Sequence, residues 1–250
     1  MVHSFLLIGQ SNMAGRGLAN EVEPIVGDNL KVLRNGRWQP MCVPVNYDRA
    51  YAGICLAESF AQAYARDHGV TVGLIPCADG GTALYQWSKG GLLYDHAVMQ
   101  AKLASRTSTI TGVLWHQGES DCEPDRYATY AERFQIVMDD FRKDLDLYDV
   151  PFLLGGLGDY FEKSTYEDIK KYYPSINAQL KSVAATNKMT GYVPAEGLSC
   201  NDDMLHFDAK SLREFGLRYY QVFQTLEDPH KVFAEKPLAD AAVRTYLETL

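Results

Sequence analysis

The chain has 250 residues, which is enough for one large α/β domain or two small ones. Its formal net charge is −8 and no cluster of lysine and arginine occurs, so a nucleic-acid-binding protein is not expected. Every apolar run is far shorter than a membrane-spanning helix, so no membrane association is expected either.

The cysteine pattern and the N-terminal sequence indicate the cellular compartment. The five cysteines are odd in number and include neither a C-x-x-C pair nor the ligand spacing of a zinc site: Cys42, Cys55, Cys77, Cys122 and Cys200. Reduced thiols in a cytoplasm are therefore favoured. The first apolar run follows no basic region and is too short for a signal peptide, so a gene product that begins at Met1 is predicted to be cytoplasmic. A leader removed before this sequence begins would undo that inference.

The first predicted strand ends in a polar turn that contains a candidate nucleophile. Residues 5–8 form an uninterrupted apolar run, which is typical of a strand buried on both faces of a parallel sheet. Gly9 and Gly15 flank Ser11 and allow a sharp exit from that strand. If a helix begins near Asn12, backbone N–H groups point outward beside Ser11, where they can stabilise an anion. Ser11 is therefore a candidate nucleophile, provided that a base can reach it.

Strands and helices alternate along the rest of the chain. Residues 30–38 predict a small hairpin with a type I′ turn at Asn35-Gly36, and residues 45–49 a polar and aromatic loop. Four further strands are predicted at 72–76, 110–115, 151–155 and 189–193. Helices are predicted at 54–67, 94–105, 124–145 (opened by Pro124), 167–186 (interrupted or begun at Pro174) and after Asp208, which caps the last one.

This alternation predicts an α/β fold with a mainly parallel five-stranded sheet and helices on both faces. No break in composition divides the chain, so residues 1–227 are predicted to form a single domain. Residues 228–250 are predicted to be a polar C-terminal appendage with a short helix.

Four polar segments follow strand ends, where open α/β sheets bind their ligands. They lie at residues 10–12, 79–82, 116–119 and 201–206. His206 is the best candidate base, and Asp203 can fold back to accept the hydrogen of Nδ1, which leaves Nε2 free for the serine. Asp202 is the rival acid. Alternatively, both aspartates belong to a solvated turn and His206 is an ordinary surface histidine.

Acyl transfer also needs hydrogen-bond donors for the developing oxyanion. The candidates are the backbone N–H groups of Ser11 and Gly81 and the side-chain amide of Gln117. Alternatively, the glycines form a plain strand-to-helix turn, and Gln117 is a buried amide that caps a neighbouring loop. Glu119 and Asp121 could be catalytic acids, although bonds to backbone N–H groups at the start of the next helix are favoured.

These segments resemble the ordered blocks of the SGNH hydrolase superfamily. The blocks are GQSNMAG at 9–15, GGT at 80–82 with Trp87, WHQGESD at 115–121, and DMLH at 203–206. Within that superfamily they resemble the carbohydrate esterase branch that includes acetylxylan esterases and sialate O-acetylesterases, over roughly residues 3–222. Gln117 stands where many members of the superfamily have asparagine, a change that this branch shares.

The resemblance implies a three-layer α/β/α, flavodoxin-like fold, with Ser11 as nucleophile, an Asp203–His206 pair and no metal. It also implies hydrolysis of acetyl esters on sugars, and no cofactor is expected. The implied partner is a small acetylated sugar or oligosaccharide, and assembly into a homo-oligomer is left open. Candidate substrate contacts are Trp87 and Tyr47, whose rings suit a sugar face, and Arg16, which suits a polar or acidic substituent. Packing of Trp87 against the core is slightly favoured over the binding role.

Three other functions compete with a sugar acetylesterase. A phospholipase or thioesterase could use the same residues on other acyl esters. A lectin-like module could bind carbohydrate without catalysis. Nucleotide or flavin binding ranks last, because neither G-x-G-x-x-G nor a P-loop opens the chain.

Overall fold

The computed structural model describes residues 1–227, so the predicted appendage at 228–250 lies outside the described residues. Within that range the chain forms one seven-stranded sheet flanked by helices. The strands are β1 (Val2–Gly9), β2 (Leu30–Arg34), β3 (Arg37–Pro40), β4 (Thr71–Pro76), β5 (Ser108–His116), β6 (Phe152–Gly155) and β7 (Thr190–Val193). The helices are α1 (Ser11–Ala14), α2 (Ala57–His68), α3 (Leu92–Ala104), α4 (Tyr130–Leu145), α5 (Glu167–Thr186) and α6 (Ala209–Leu226).

The strand order is β3-β2-β4-β1-β5-β6-β7, and every neighbouring pair is parallel except β2–β3. Without the β2–β3 hairpin, the remaining five strands have the flavodoxin-like order 2-1-3-4-5. The predicted α/β fold with a mainly parallel sheet is therefore confirmed. In such a sheet the ligand site is expected beside β1, where the strand order reverses, at the carboxyl ends of β1 and β5.

The predicted count of five strands was too low because the hairpin joins the sheet. Leu30 and Val32 of β2 pair in parallel with Val72 and Leu74 of β4. The ring of Trp38 on β3 lies over Gly73, where a Cβ would come within 2.5 Å of it. A hairpin pattern shows which two strands pair with each other, but it does not show which sheet edge they then extend.

Two apolar layers form because the side chains of β1 alternate between the faces of the sheet. Phe5 and Leu7 lie in the core beneath α2 and α6, whereas Leu6 and Ile8 lie in the core beneath α3, α4 and α5. All four side chains are fully buried, as the uninterrupted apolar run predicted.

The helix predictions were right in kind and wrong at some boundaries. α4 begins at Tyr130, not at Pro124, and a short 3-10 turn at Tyr127–Thr129 precedes it. α5 runs without a break from Glu167 to Thr186 with Pro174 inside it, because burial of its apolar face offsets the lost N–H bond. Asp208 caps α6 as predicted, accepting the N–H of Ser211 at 2.7 Å.

The five cysteines carry free thiols, and three of them are buried. Within residues 1–227, no helix combines the length and the apolar character that crossing a membrane requires. Over the same residues, no three or more His, Cys, Asp or Glu side chains are grouped so that they could hold a metal ion.

Candidate active site

The end of β1 lies against the end of β5. Gly9 is paired with His116, and the N–H of Gln10 donates to the His116 carbonyl at 2.8 Å. Gly9 has φ of 130°, and a Cβ there would lie 2.0 Å from the His116 carbonyl oxygen, so this crossing needs glycine. The chain then turns directly into α1, whose first residue is Ser11. Ser11 therefore stands at the carboxyl edge of the sheet, beside the reversal of strand order.

Ser11, His206 and Asp203 form a continuous hydrogen-bonded chain. His206 Nε2 lies 2.9 Å from Ser11 Oγ, although 195 residues separate the two in sequence. His206 Nδ1 lies 2.6 Å from Asp203 Oδ2. The structure thus brings these three candidates together with the base facing the serine hydroxyl, which is the geometry that nucleophilic activation requires.

Asp203, not Asp202, contacts the histidine. Its other carboxylate oxygen, Oδ1, accepts the backbone N–H groups of Leu205 and His206 at 2.9 and 3.0 Å. Burial acts to raise the pKa of Asp203, but the hydrogen bonds from His206 and Leu205 outweigh it and hold the pKa below its usual value. The carboxylate is therefore ionised at neutral pH and can stabilise a histidine cation.

Two of the three candidate oxyanion donors lie at the same place. The N–H groups of Ser11 and Gly81 have no acceptor among the described residues, and both residues line one cleft with His206. A Cβ added to Gly80 would lie 3.5 Å from Ser11 Cβ, which shows how closely this turn approaches the serine. Both N–H groups are therefore free to donate to a bound carbonyl oxygen.

Gln117, the third candidate donor, is not available. The side chain is fully buried. Its Nε2 donates to Asp121 Oδ2 at 2.7 Å and to the Thr82 carbonyl at 3.2 Å, and its Oε1 accepts the hydroxyl of Tyr130 at 2.9 Å. Because both amide hydrogens are used inside the protein, the geometry matches the alternative interpretation, a buried amide that ties neighbouring loops together.

The Asn12 side chain has a role that the sequence patterns did not predict. Asn12 Nδ2 donates to Glu119 Oε1 at 2.6 Å and to the Leu205 carbonyl at 3.3 Å, while Oδ1 accepts the N–H of Phe207 at 3.1 Å. Asn12 therefore holds the backbone on both sides of His206. Glu119 orients Asn12 and does not bond the N-terminus of α4. Asn12 and Glu119 each belong to a motif block, which was the available signal in the sequence. A motif does not show, however, which side chains contact one another.

A buried ion pair supports the turn that carries Gly81. Asp48 accepts two hydrogen bonds from Arg16, at 2.6 and 3.1 Å, and one from the N–H of Gly80 at 2.8 Å. Both charged side chains are at least 95% buried. Burial acts to raise the pKa of Asp48, but Arg16 and the Gly80 N–H outweigh it and hold the pKa below its ordinary value. Asn46 exchanges two further hydrogen bonds with the backbone of Ala78, so the loop before α2 fixes this turn.

The cleft beside Ser11 has a volume of about 520 Å³, which is in the range of small-molecule sites of roughly 300–1,000 Å³. The rings of Tyr51 and Tyr166 line it and are partly exposed to solvent. Neither tyrosine was among the predicted substrate contacts, and nothing in the sequence distinguishes Tyr166 from other residues that flank helices.

Of the predicted substrate contacts, only Arg16 lines this cleft. Trp87 is fully buried, packs edge-on against Trp115 and donates to Thr82 Oγ1 at 3.2 Å, so its ring does not face the cleft and the geometry matches the favoured interpretation, packing against the core. Tyr47 is 73% exposed but does not line the cleft.

The fold and the carboxyl-edge cleft define an SGNH-type α/β hydrolase, and comparison with known proteins gives the family. The sequence model of the family described as "Carbohydrate esterase, sialic acid-specific acetylesterase" matches residues 1–225. The chain belongs to this family and is a carboxylic ester hydrolase of the carbohydrate acetylesterase type. The predicted resemblance to the carbohydrate esterase branch is thereby confirmed.

Individual relatives agree with this placement. A probable carbohydrate esterase of Arabidopsis thaliana is 28% identical over 246 residues, which cover 88% of this chain and 89% of that protein. A crystal structure of an Arabidopsis thaliana protein has a TM-score of 0.80 at 26% identity and covers 89% of this chain and 98% of its own. The structure of NanS has a TM-score of 0.71 at 18% identity, covering 90% and 97%, and shares the fold.

The Arg16–Asp48 pair gives a stability prediction. Asp48→Asn keeps the shape of the side chain but leaves the buried Arg16 without its counter-charge, which is expected to lower the free energy of unfolding by about 3–5 kcal/mol at pH 7. Folding lowers the pKa of Asp48. The ion pair therefore makes its full contribution to the free energy of unfolding at a pH above the ordinary carboxyl pKa of about 4, and this contribution decreases as the pH falls below that value. Urea denaturation of both proteins at pH 7 and pH 3 measures this loss, and the gap between them should shrink at pH 3. The double variant Arg16→Met/Asp48→Asn is the control, and it should recover part of the loss at pH 7.

Proposed function

We propose that this enzyme removes O-acetyl groups from carbohydrates through an acetyl-enzyme formed on Ser11. The observation that carries the proposal is the hydrogen-bonded chain from Ser11 Oγ through His206 to Asp203, with distances of 2.9 and 2.6 Å. Membership of a carbohydrate esterase family supports the substrate class.

In the first step Ser11 Oγ attacks the acetyl carbonyl carbon while His206 Nε2 takes the hydroxyl proton. The negative charge that develops on the carbonyl oxygen is stabilised by the N–H groups of Ser11 and Gly81. Removing one such donor typically costs about 3–4 kcal/mol of transition-state stabilisation. Asp203 stays ionised and stabilises the histidine cation through Nδ1.

The tetrahedral intermediate collapses when the sugar oxygen leaves and takes the proton from His206 Nε2. This leaves an acetyl ester on Ser11 and a neutral histidine. Water then attacks that ester, again with His206 as base, and acetate departs as the proton returns to Ser11 Oγ.

Removal of the nucleophile tests the proposal. Ser11→Ala is expected to lower kcat by about a million-fold, as loss of the nucleophile does in other serine hydrolases. NMR detection of acetate released from acetylated xylo-oligosaccharides, O-acetyl sialic acids and simple sugar acetates provides the measurement. Ser182→Ala, an exposed position on α5, is the control and should behave as the wild type. Full activity in Ser11→Ala would refute the mechanism.

The acid assignment has its own test. Asp203→Asn is expected to lower kcat by about ten-thousand-fold, because an amide at this position favours the wrong histidine tautomer. Asp202→Asn makes the same chemical change one residue away and should stay within a few-fold of the wild type, since Asp202 does not bond His206. The two kcat values are compared on one sugar acetate, and the reverse order would move the acid to Asp202.

Acyl-chain length separates this proposal from a lipase or thioesterase. Ile169 and Leu205 are the aliphatic side chains that line the cleft, so a longer acyl chain gains little of the roughly 0.8 kcal/mol that each buried methylene can contribute. We expect kcat/KM on p-nitrophenyl esters to be highest for acetate and to fall beyond butyrate. A preference for longer chains would replace the acetylesterase by one of those alternatives.

A further inference from the structure

The rim of the cleft is lined by carboxylates. Glu123, Glu167 and Asp168 line it, and the last two are exposed residues in the first turn of α5. Arg126 lies 3.6 Å from Glu123 and partly offsets that charge. Within residues 1–227 neither Glu167 nor Asp168 forms an ion pair within 4 Å, although Lys171, one turn further along α5, interacts electrostatically with Asp168. Both carboxylates also interact favourably with the N-terminus of their own helix. A substrate that enters the cleft therefore meets negative charge.

A further carboxylate lies at the floor of the cleft. Glu119 is 3% exposed, and its Oε1 is bonded to Asn12 while Oε2 has no hydrogen-bond partner among residues 1–227. Burial acts to raise the pKa of Glu119, but His116 and the Asn12 amide outweigh it, so the pKa is lowered and the group is an acceptor. Because Oε2 is shielded from solvent, Glu119 acts on a bound substrate through its negative charge, which lies 3.3 Å from His116 Nε2 and disfavours a carboxylate nearby.

The basic groups of the cleft are already paired. Among residues 1–227, one arginine, Arg16, and no lysine line the cleft. Both terminal nitrogens of Arg16 bond Asp48, and its Nε is shielded from solvent. His206 is bonded to Asp203. The cleft lining described within residues 1–227 therefore offers no unpaired terminal nitrogen to a substrate carboxylate.

Carboxylates also line the neighbouring cleft. That cleft shares Arg16, Tyr51 and His206 with the first, and its other charged lining residues are Glu21, Asp202, Asp203, Asp208 and Lys210. A sugar chain that extends past His206 thus meets more carboxylates than ammonium groups. The partly exposed rings of Tyr51 and Tyr166 suit the C–H faces of an uncharged sugar.

We propose that this cleft selects acetyl esters of uncharged sugars and disfavours sugars that carry a carboxylate. The inference rests on the proposed function and names the substrate class of that site. The family description refers to sialic acids, which are anionic at neutral pH. The selection therefore sets this chain apart from the activity that the family is named for.

A matched pair of substrates tests the inference. Methyl glucoside and methyl glucuronoside acetylated at the same secondary hydroxyl group differ only at C6, which is an uncharged CH2OH in one and a carboxylate in the other. At low ionic strength we expect kcat/KM to be at least tenfold higher for the glucoside, mainly through KM. The ratio should decrease as salt screens the rim charges.

Substitution of the rim carboxylates tests whether they cause the difference in kcat/KM between the two substrates. In Glu123→Gln/Glu167→Gln/Asp168→Asn the selectivity ratio is expected to fall several-fold. The control Asp28→Asn/Asp146→Asn/Asp149→Asn removes three carboxylates that precede β2 or β6, at the opposite edge of the sheet, and should keep the wild-type ratio. The salt dependence of the wild type provides a readout that does not depend on how well the variants fold.

The outcomes separate the two proposals. Equal or faster hydrolysis of the glucuronoside at low ionic strength would overturn the selectivity inference and leave the proposed function standing, because acetate is still released. An unchanged ratio in the rim variant would overturn the assignment to these residues. If neither substrate nor any other sugar acetate released acetate, the proposed function would fail and the inference with it.

Discussion

The hydrogen bonds of the Asn12 side chain hold together two segments on which the whole site depends. They connect the turn after β1 to the backbone of Leu205 and Phe207, on both sides of His206, which lie 193 and 195 residues further along the chain. Asn12 is 1% exposed, so losing these bonds would leave buried polar groups unsatisfied. The 2.9 Å contact between Ser11 and His206 therefore depends on an amide that itself performs no chemistry.

The opposite wall of the site is fixed by charge. Asp48 lies between Arg16 and the N–H of Gly80, so one carboxylate neutralises a buried cation and also holds the turn that presents Gly81. This arrangement has a second effect, because an arginine used for structure is no longer free to bind an anionic substrate. The same ion pair thus supports the turn of the proposed oxyanion donors and removes one cation from the cleft.

Local patterns in the sequence determined much of the fold and part of the site. The apolar run at residues 5–8 is buried on both faces of the sheet, and Asp208 caps the last helix, because strand burial and capping depend on residues close in sequence. The contact between Asp203 and His206 spans three residues and was predictable for the same reason. The motif blocks also predicted the family, since their order along the chain can be read directly.

Only the tertiary structure decided which side chains reach the cleft. Gln117 and Trp87 belong to motif blocks yet are buried, because the packing of neighbouring loops uses their polar atoms internally. The hairpin joins the sheet through contacts with β4. Tyr166, the residue before α5, lines the cleft although it lies more than 150 residues after Ser11. Such contacts depend on strand register and on the packing of distant loops. No local sequence pattern predicts these contacts, whereas the periodicity of a strand or helix depends only on the residues that form it.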